Sequence, residues 1–185
     1  AGVLEGYGVW FDDAVPAATG AALDYGSGQG QGIDYLRSRG FADVHAYEPN
    51  ALLANALRGK ASTVHSDESP EAFLQAHAGQ FALILCKDVL EHVSKAQAPD
   101  TVRLLLDALK PGGRLVVSVP HAVSFVGVYF RYADFTHHTA FTESSLRYVL
   151  ESAGAARVRF HAPRFAFRWG PKTIAYRLLK RCWHT

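Results

Sequence analysis

The chain has 185 residues, 49% of them hydrophobic and 19% charged, and its 19 Lys and Arg against 17 Asp and Glu leave a net charge of +2. A chain of this size buries enough apolar surface to fold as one domain, so disulfide-stapled and disordered classes are excluded. No apolar run reaches the roughly 18 residues of a membrane-spanning helix, and residues 1–20 lack the pattern of a secretory signal.

Short apolar runs alternate with amphipathic segments along most of the chain, which is typical of βαβ units around a parallel sheet. The predicted strands cover residues 21–25, 44–47, 63–65, 81–86 and 114–119. The predicted helices cover residues 31–39, 50–57, 70–77 and 100–109. A fifth helix is expected from an N-cap at Thr142 to a stop at Gly154. The sequence therefore predicts an α/β fold of three layers with a doubly wound, mostly parallel sheet.

The pattern changes after the fifth predicted helix. Residues 158–161 and 164–167 flank Pro163 and indicate two strands joined by a short turn. We expect this C-terminal hairpin to add antiparallel strands to the edge of the sheet. No repeat or low-complexity linker interrupts the chain, so we predict a single domain over residues 1–185, with its core at about 20–168.

A glycine-rich loop, Gly26-Ser27-Gly28-Gln29-Gly30, lies between the first predicted strand and the first predicted helix. Glycines there let backbone N–H groups approach a ligand at the carboxyl ends of the strands. The spacing differs from the dinucleotide fingerprint, because Gln31 or Ile33 stands where the third glycine belongs, and no Gly-Lys-Ser/Thr follows for a P-loop. Asp24, two residues before the loop, would repel a pyrophosphate and attract a cation such as an amino group.

A second carboxylate, Glu48, ends the second predicted strand in the run Glu48-Pro49-Asn50. A carboxylate at this position can accept hydrogen bonds from both hydroxyls of an adenosine ribose. Together with Asp24, it indicates a nucleoside ligand that carries no phosphate. Taken alone, each of the two residues is equally compatible with a capping role.

At this point the chain resembles the class I S-adenosylmethionine-dependent methyltransferases, over roughly residues 20–160. The motifs that carry the resemblance are the glycine loop with Asp24, Glu48, Asp67, Val89-Leu90-Glu91-His92-Val93 and Leu109-Lys110-Pro111-Gly112-Gly113-Arg114-Leu115. The resemblance implies a Rossmann-like fold, S-adenosylmethionine as the cofactor and S-adenosylhomocysteine as the product.

The resemblance also implies which residues contact the cofactor. These residues are Asp24, Gly26, Ser27, Gly28, Glu48, Pro49, Asp67, Glu68, Cys86 and Lys87. Asp24, Cys86 and Lys87 would border the methionine moiety. Asp67 would accept a hydrogen bond from the adenine amino group, with the neighbouring Glu68 as the less favoured choice.

Methyl transfer from a sulfonium is an in-line displacement, so the protein must hold the acceptor close and aligned while it excludes water. A hydroxyl acceptor also benefits from a general base that titrates near neutrality, for which histidine is the first candidate. Of the nine histidines, four map to the ligand side of the sheet: His92, His121, His137 and His138. We predict His137 as the base and His92 as the second choice, with a role of His92 in shaping the pocket as its alternative.

The connection over residues 130–142 is rich in polar and aromatic groups, as functional loops often are. Its pattern Arg131-x-x-Asp134-x-Thr136-His137, then Phe-Thr-x-x-Ser-Leu, is similar to bacterial methyltransferases associated with polysaccharide and small-metabolite modification. Asp134 would orient a nearby imidazole and raise its pKa, and Arg131 would hold an anionic group of the acceptor. The alternative is an ion pair between Arg131 and Asp134 that only fixes the loop.

A metal site can be drawn from His121, Asp134, His137 and His138, but these residues lack the ligand spacing of the usual zinc sites. We therefore predict no metal. The predicted function is methyl transfer to a small molecule or saccharide, at oxygen rather than nitrogen. The alternatives are a degenerate methyltransferase domain that serves as an interaction module and a nicotinamide-dependent oxidoreductase, which the glycine spacing disfavours.

Charge is distributed unevenly, because residues 1–151 have a balance of −6 and residues 152–185 have eight basic residues and no acidic one. Residues 171–183 are compatible with a basic amphipathic helix that contacts a membrane surface, an anionic glycan or a partner protein, or with a final helix packed on the sheet. No nucleic-acid motif accompanies the charge, so no nucleic acid is expected as a partner. The only two cysteines, Cys86 and Cys182, favour a reducing compartment, and we predict a cytoplasmic protein.

Overall fold

The fold is given by a computed structural model, which describes residues 2–124 and 127–163. The strands are β1 (Ala22–Tyr25), β2 (Val44–Tyr47), β3 (Thr63–His65), β4 (Phe81–Lys87) and β5 (Leu109–Ser118). The α-helices are α1 (Gly2–Phe11), α2 (Gln31–Ser38), α3 (Ala51–Leu57), α4 (Pro70–Ala76), α5 (Ala98–Asp107), α6 (Gly127–Ala133) and α7 (Glu143–Ser152). A 3-10 turn covers Leu90–His92.

The five strands form one sheet in the order β3-β2-β1-β4-β5, and every strand pairing is parallel. The chain moves outward from β1 to β2 and β3, then crosses back to β4 on the other side of β1. The strand order therefore reverses between β1 and β4. In open α/β sheets, ligands bind outside the carboxyl ends of the strands at such a reversal.

Helices cover both faces of this sheet, as the uninterrupted apolar runs of its strands predict. On one face, residues of α1, α2 and α3 such as Phe11, Ile33 and Leu57 pack against the sheet. On the other face, α4, α5 and α7 contribute side chains such as Phe73 and Leu105. The predicted three-layer α/β fold with a doubly wound parallel sheet is confirmed.

Side-chain caps begin several of the helices. The Asn50 side chain accepts hydrogen bonds from the backbone N–H groups of Leu52 and Leu53 at the start of α3. Thr142, the predicted N-cap, accepts one from the Ser145 N–H at the start of α7. Each cap of this kind stabilises a helix by about 1 kcal/mol.

Two helices, α1 and α6, were not predicted from the sequence. Three of the ten residues of α1 are glycines, and each lowers helix propensity by about 1 kcal/mol relative to alanine. Tertiary contacts accompany the helix, because the rings of Tyr7 and Phe11 lie 5.7 and 6.0 Å from the ring of Tyr35 in α2. Helix α6 occupies part of the connection over residues 130–142, for which the sequence predicts no regular element.

The predicted antiparallel hairpin is not present among the described residues. Residues 158–161 form no strand, while residues 164–167 lie outside the described part, as does the predicted basic helix at 171–183. Apolar alternation suggests a strand, but here Val158 packs against the core beneath α7. Phe160 lies under the Arg147 guanidinium, whose central carbon is 4.9 Å from the ring centroid. In the part of the chain that the structure describes, no helix is long and apolar enough to cross a membrane.

Candidate active site

The glycine loop after β1 is held at both ends and open in its middle. Gly26 and Gly30 have φ angles of +78° and +82°, and a Cβ on either residue would collide with Val89 or Leu57. Gly28 also has a positive φ, of +51°, but a Cβ there would meet open space. The loop therefore leaves room for a ligand beside Gly28, at the reversal between β1 and β4.

Glu48 links the glycine loop to the loop that follows β2. Its side chain is buried, and its Oε2 accepts a hydrogen bond from the Gly28 N–H at 2.8 Å. Its Oε1 accepts one from the Asn50 N–H at 2.9 Å. A carboxylate has about four acceptor positions, so each oxygen of Glu48 retains capacity for a ligand hydroxyl. Asn50, and not Glu48, caps α3, while the neighbouring Pro49 is exposed.

Asp24 is a buried carboxylate beneath the loop. Its Oδ2 has no hydrogen-bond partner among the described residues. Burial raises the pKa of Asp24 to about 7. The backbone carbonyl of Asp24 accepts a hydrogen bond of 2.7 Å from the Ser27 hydroxyl, which fixes the start of the loop. Because an unpaired buried carboxylate is costly, a cationic group placed against Asp24 would stabilise its ionised form.

The two acidic residues expected near the adenine differ in their contacts. Asp67 is exposed and accepts a hydrogen bond of 3.0 Å from the Ser66 hydroxyl. Glu68 is tied to the sheet edge, because its Oε1 lies 3.5 Å from His65 Nδ1 and its carbonyl accepts a bond from the Tyr47 hydroxyl. Of the two residues, Asp67 is therefore the one whose side chain is more accessible to a ligand.

Cys86 and Lys87, at the end of β4, are also differently placed. The Cys86 side chain is fully buried in the core, and burial raises the pKa of its thiol, so this residue offers a ligand only its backbone. Lys87 forms an ion pair with Asp88, and its Nζ lies 5.8 Å from the ring centroid of Tyr7 in α1. Tyr7 was not a predicted site residue, because its position depends on a helix that the sequence did not reveal.

The structure brings His92 and His137 together. Their ring centroids are 4.6 Å apart and their planes cross at 73°, although 44 residues separate them in the chain. The connection that carries His137 docks on the 3-10 turn, because the N–H groups of His138 and Thr139 donate to the Glu91 carbonyl at 2.7 and 3.1 Å. This docking places the imidazole pair directly beyond the end of β4.

Hydrogen bonds fix which nitrogen of each neutral ring is protonated. The Thr136 hydroxyl donates its one proton to Asp134 at 2.7 Å, so it must accept from His92 Nδ1 at 2.8 Å. His137 Nδ1 donates to the Phe130 carbonyl at 2.8 Å, because a carbonyl can only accept. Nε2 therefore carries the lone pair in both rings. Burial and the neighbouring His137 lower the pKa of His92, which favours its neutral form.

Asp134 and Arg131 do not form the loop-fixing ion pair considered above. Among the described residues, the carboxylate of Asp134 contacts Thr136 and lies 3.9 Å from His137 Nε2, and Thr136 holds the pKa of Asp134 below its usual value. Arg131 donates to the His138 carbonyl at 3.3 Å and stacks over Tyr132. Asp134 thus orients His92 through Thr136.

Glu91 converges with the two imidazoles but is not among the site residues that the sequence predicts. Its side chain is only 2% exposed, and neither carboxylate oxygen has a hydrogen-bond partner within residues 2–124 and 127–163. Burial raises its pKa to about 7. The Thr139 hydroxyl is buried and unpartnered in the same part of the structure. The signal was present in the sequence, since Glu91 is an acidic residue in an otherwise apolar run next to a histidine.

The other two histidines considered as candidates lie apart from this pair. His121 is exposed and forms an isolated bridge with Phe141, and His138 is exposed. Both contribute backbone contacts to the connection. The side chains that converge are those of Glu91, His92 and His137.

The strand order, the glycine loop at the reversal and the buried carboxylate at the end of β2 are the features of an α/β protein with a ligand cleft at the carboxyl ends of its strands. The family model described as a methyltransferase domain matches residues 12–159. The chain belongs to this family of methyltransferases. The open space at Gly28 and the unpartnered Asp24 oxygen fit S-adenosylmethionine, the methyl donor that the resemblance implies.

Solved structures show the same fold. An S-adenosylmethionine-dependent methyltransferase from Archaeoglobus fulgidus has a TM-score of 0.69 at 19% identity, covering 82% of this chain and 65% of that chain. The YcgJ protein from Bacillus subtilis has a TM-score of 0.64 at 18% identity, covering 82% and 67%. Phosphoethanolamine N-methyltransferase 2 from Haemonchus contortus, in complex with S-adenosylmethionine, has a TM-score of 0.57 at 16% identity, covering 81% and 36%. No curated protein matches the chain.

Proposed function

We propose that this protein transfers the methyl group of S-adenosylmethionine to an oxygen atom of a small-molecule or saccharide acceptor. The observation that carries the proposal is the pair formed by His92 and His137, whose Nε2 atoms are both free to take a proton. The pair lies just beyond β4, whose carboxyl end also forms part of the cofactor cleft. An amine acceptor can react after simple loss of a proton, whereas a hydroxyl gains most from such a base.

In this proposal the cofactor supplies an activated methyl group, and the chain holds it in place. Glu48 accepts hydrogen bonds from the ribose hydroxyls, and Asp67 accepts one from the adenine amino group. Asp24 faces the ammonium group, while the backbone from Gly26 to Gly28 forms the floor and Lys87 borders the methionine moiety. The contacts of Glu48 and the unpartnered oxygen of Asp24 support these assignments.

The imidazole pair then receives the proton of the acceptor hydroxyl. The Phe130 carbonyl, which accepts from His137 Nδ1, stabilises that ring when Nε2 becomes protonated. His92 is held by Thr136 and, through it, by the Asp134 carboxylate. Arg131 is available for an anionic group of the acceptor.

Helix α6 and the connection after it, which carries His137, also carry exposed aromatic side chains. Tyr129, Tyr132 and Phe135 are 69%, 75% and 102% exposed. Arg131 stacks over Tyr132, so this segment exposes polar and apolar groups side by side. Such a surface suits an acceptor that has both hydroxyl groups and hydrocarbon faces.

Calorimetric titration of S-adenosylmethionine tests the cofactor site. We expect Asp24→Ala and Glu48→Ala each to weaken the affinity by at least about tenfold, since each removes a charged or hydrogen-bonding contact. Glu71→Ala, at an exposed position of α4, is the matched control and should bind normally. Unchanged affinity in both test variants would refute the assignment.

Mass spectrometry tests the acceptor. The protein is incubated with S-adenosylmethionine and a panel of sugars and small metabolites, and products are examined for a methyl mass increment on oxygen. Production of S-adenosylhomocysteine together with methyl ethers would support the proposal. Methylation of nitrogen alone would contradict it.

A further inference from the structure

One carboxylate and two imidazoles converge at the end of β4. The ligand-capable atoms of Glu91, His92 and His137 all lie within 4.8 Å of one another. The donor atoms around a tetrahedral Zn²⁺ are about 3.3 Å apart, so small side-chain rotations would bring these three to coordination distance. A cation at their centre would be held by one oxygen and two nitrogens.

The state of Glu91 is an independent sign that a cation belongs here. A buried carboxylate is normally hydrogen-bonded, paired with a cation or bound to a metal. The Glu91 carboxylate is 2% exposed, and both of its oxygens are unpartnered among the described residues. A metal ion would satisfy these oxygens.

Both imidazoles are already oriented as metal ligands. Metal-binding histidines usually donate their second ring N–H to a carbonyl, carboxylate or water, which leaves the other nitrogen free for the metal. His137 does this through the Phe130 carbonyl, at 2.8 Å. His92 does it through the Thr136 hydroxyl, which passes the hydrogen bond on to Asp134.

We propose that Glu91, His92 and His137 bind one divalent metal ion, with Zn²⁺ as the ion that this donor set fits. Two histidines and one glutamate are a known ligand set of catalytic zinc, in which a further position stays open. Neutral imidazole also suits Zn²⁺ better than Mg²⁺ or Ca²⁺.

The catalytic part of this inference rests on the proposed function and deepens it. With the ion bound, the two Nε2 lone pairs are occupied, so the ion replaces the imidazoles as the group that ionises the acceptor hydroxyl. The hydroxyl proton goes to solvent, and the oxygen forms a bond to the methyl carbon. The carbon–sulfur bond breaks with its electron pair on sulfur, the sulfonium becomes a thioether, and no oxidant or reductant is required.

Metal binding is tested on the full chain without reference to turnover. The purified protein is stripped with a chelator, dialysed against Zn²⁺ or Co²⁺ and analysed for bound metal and for the visible absorption of bound Co²⁺. We expect one equivalent of either ion and the spectrum of a four- or five-coordinate Co²⁺. Glu91→Gln and His137→Gln should each weaken Zn²⁺ binding by at least tenfold.

Two controls make the test specific: a variant of the residue next to His137, and a measurement of S-adenosylmethionine binding. His138→Gln, at the exposed position next to His137, should bind Zn²⁺ normally. Each variant should also retain its affinity for S-adenosylmethionine, which shows that it is folded. Glu91→Asp, which keeps the carboxylate, should restore part of the metal affinity lost in Glu91→Gln.

The outcomes separate this inference from the proposed function. A protein that takes up neither ion, or that takes them up equally well as Glu91→Gln and His137→Gln, would overturn the metal site. If oxygen methylation persisted in that metal-free protein, the imidazole pair would remain the base. If Zn²⁺ were bound but only nitrogen acceptors were methylated, the metal site would stand and the proposed function would fall.

Discussion

Among the described residues, two groups of histidines pack ring against ring, and their surroundings differ. The His92–His137 pair lies at the carboxyl ends of the strands. The His45–His65–His77 cluster lies between β2, β3 and α4, where His65 is 5.5 Å from His45 and 4.8 Å from His77 between ring centroids. Ring contact alone therefore does not distinguish a candidate site from a packed core.

The hydrogen bonds of the polar side-chain atoms distinguish the His92–His137 pair from the His45–His65–His77 cluster. In the His45–His65–His77 cluster, His77 Nδ1 contacts the Phe73 carbonyl at 2.8 Å, and His45 Nδ1 contacts His65 Nε2 at 3.2 Å. Beside the His92–His137 pair, by contrast, both oxygens of the Glu91 carboxylate lack a hydrogen-bond partner among the described residues, and ligand-capable atoms of the three side chains lie within 4.8 Å of one another. This unused polar capacity at the ligand end of the sheet is the reason why we propose a functional role for the His92–His137 pair and a structural role for the His45–His65–His77 cluster.

The sharpest test of this difference compares one histidine from each group. His137→Gln should lower turnover of an identified acceptor by about 10²-fold or more, because a positioned general base or metal ligand contributes roughly 10²–10⁴ to the rate. His77→Gln should leave turnover unchanged. Steady-state rates of S-adenosylhomocysteine formation, with both substrates saturating, measure both effects. Equal rates in the two variants would remove the functional distinction.

The structural role of the second group is tested by its packing. Phe73 is fully buried, and its ring lies 4.7 Å from that of His65 and 4.5 Å from that of His77. Phe73→Ala should lower the free energy of unfolding by about 3–5 kcal/mol, since it leaves a cavity in the core. Phe135→Ala, at a fully exposed phenylalanine, should change it by less than about 0.5 kcal/mol. Denaturant titration measures both, and similar losses would contradict the assignment of Phe73 to the core.

The ligand end of the sheet should also respond to pH through Asp24. Its pKa is raised from an ordinary 3.8 to about 7 by burial, so the side chain is largely neutral below pH 7. Because an ammonium group binds the ionised carboxylate, affinity for S-adenosylmethionine should rise as pH increases towards about 7, by up to about tenfold per pH unit. Titration calorimetry at several pH values measures the slope. Asp24→Asn should flatten it, and an unchanged slope would exclude Asp24 as its source.

The same shift predicts the opposite trend in the stability of the cofactor-free protein. The folded state holds the Asp24 proton more tightly than the unfolded state, so the contribution of Asp24 is fully present below pH 3.8 and is lost as pH rises to about 7. Denaturant titration of the wild-type protein and of Asp24→Asn across this range isolates that contribution. A difference that did not vary with pH would contradict it.

The smallest expected effect lies in the His45–His65–His77 cluster. Burial, together with the neighbouring His77 and His45, lowers the pKa of His65 below its ordinary 6.5. Protonation therefore favours the unfolded state, and the contribution of His65 to stability, present above pH 6.5, is lost as pH falls through its lower folded pKa. Denaturant titrations of the wild-type protein and His65→Gln should converge as pH falls. Parallel pH profiles would show that His65 does not titrate in this way.

The sequence was sufficient for the strands, for most of the helices and for the glycine loop. Apolar periodicity and capping residues are local features, and the positive φ angles of Gly26 and Gly30 depend on a residue type that can be recognised in sequence. Glu48 could be selected because its place directly after β2 follows from the strand boundary. The sequence also indicates His92 and His137 as candidate bases, although it does not predict that their side chains lie in contact.

Contacts between distant segments account for what was missed. Helix α1 is rich in glycine and packs on α2, so local propensity argued against it. The predicted hairpin at residues 158–161 had the alternation of a strand, yet Val158 packs against the core. The metal set considered from sequence was drawn from residues 121–138, whereas the ligand atoms that converge include Glu91 and His92 from the turn after β4.

By itself, the sequence determined the order of the elements, the glycine loop and the acidic residues at the strand ends, because each depends on a few consecutive residues. Only the tertiary structure decided what the histidines can do. Whether an imidazole offers a lone pair depends on the partner of its other nitrogen, and Phe130 and Thr136 take that role only once the connection has docked on Glu91. The unpartnered state of Glu91 has the same origin, since burial is decided by packing and not by residue type.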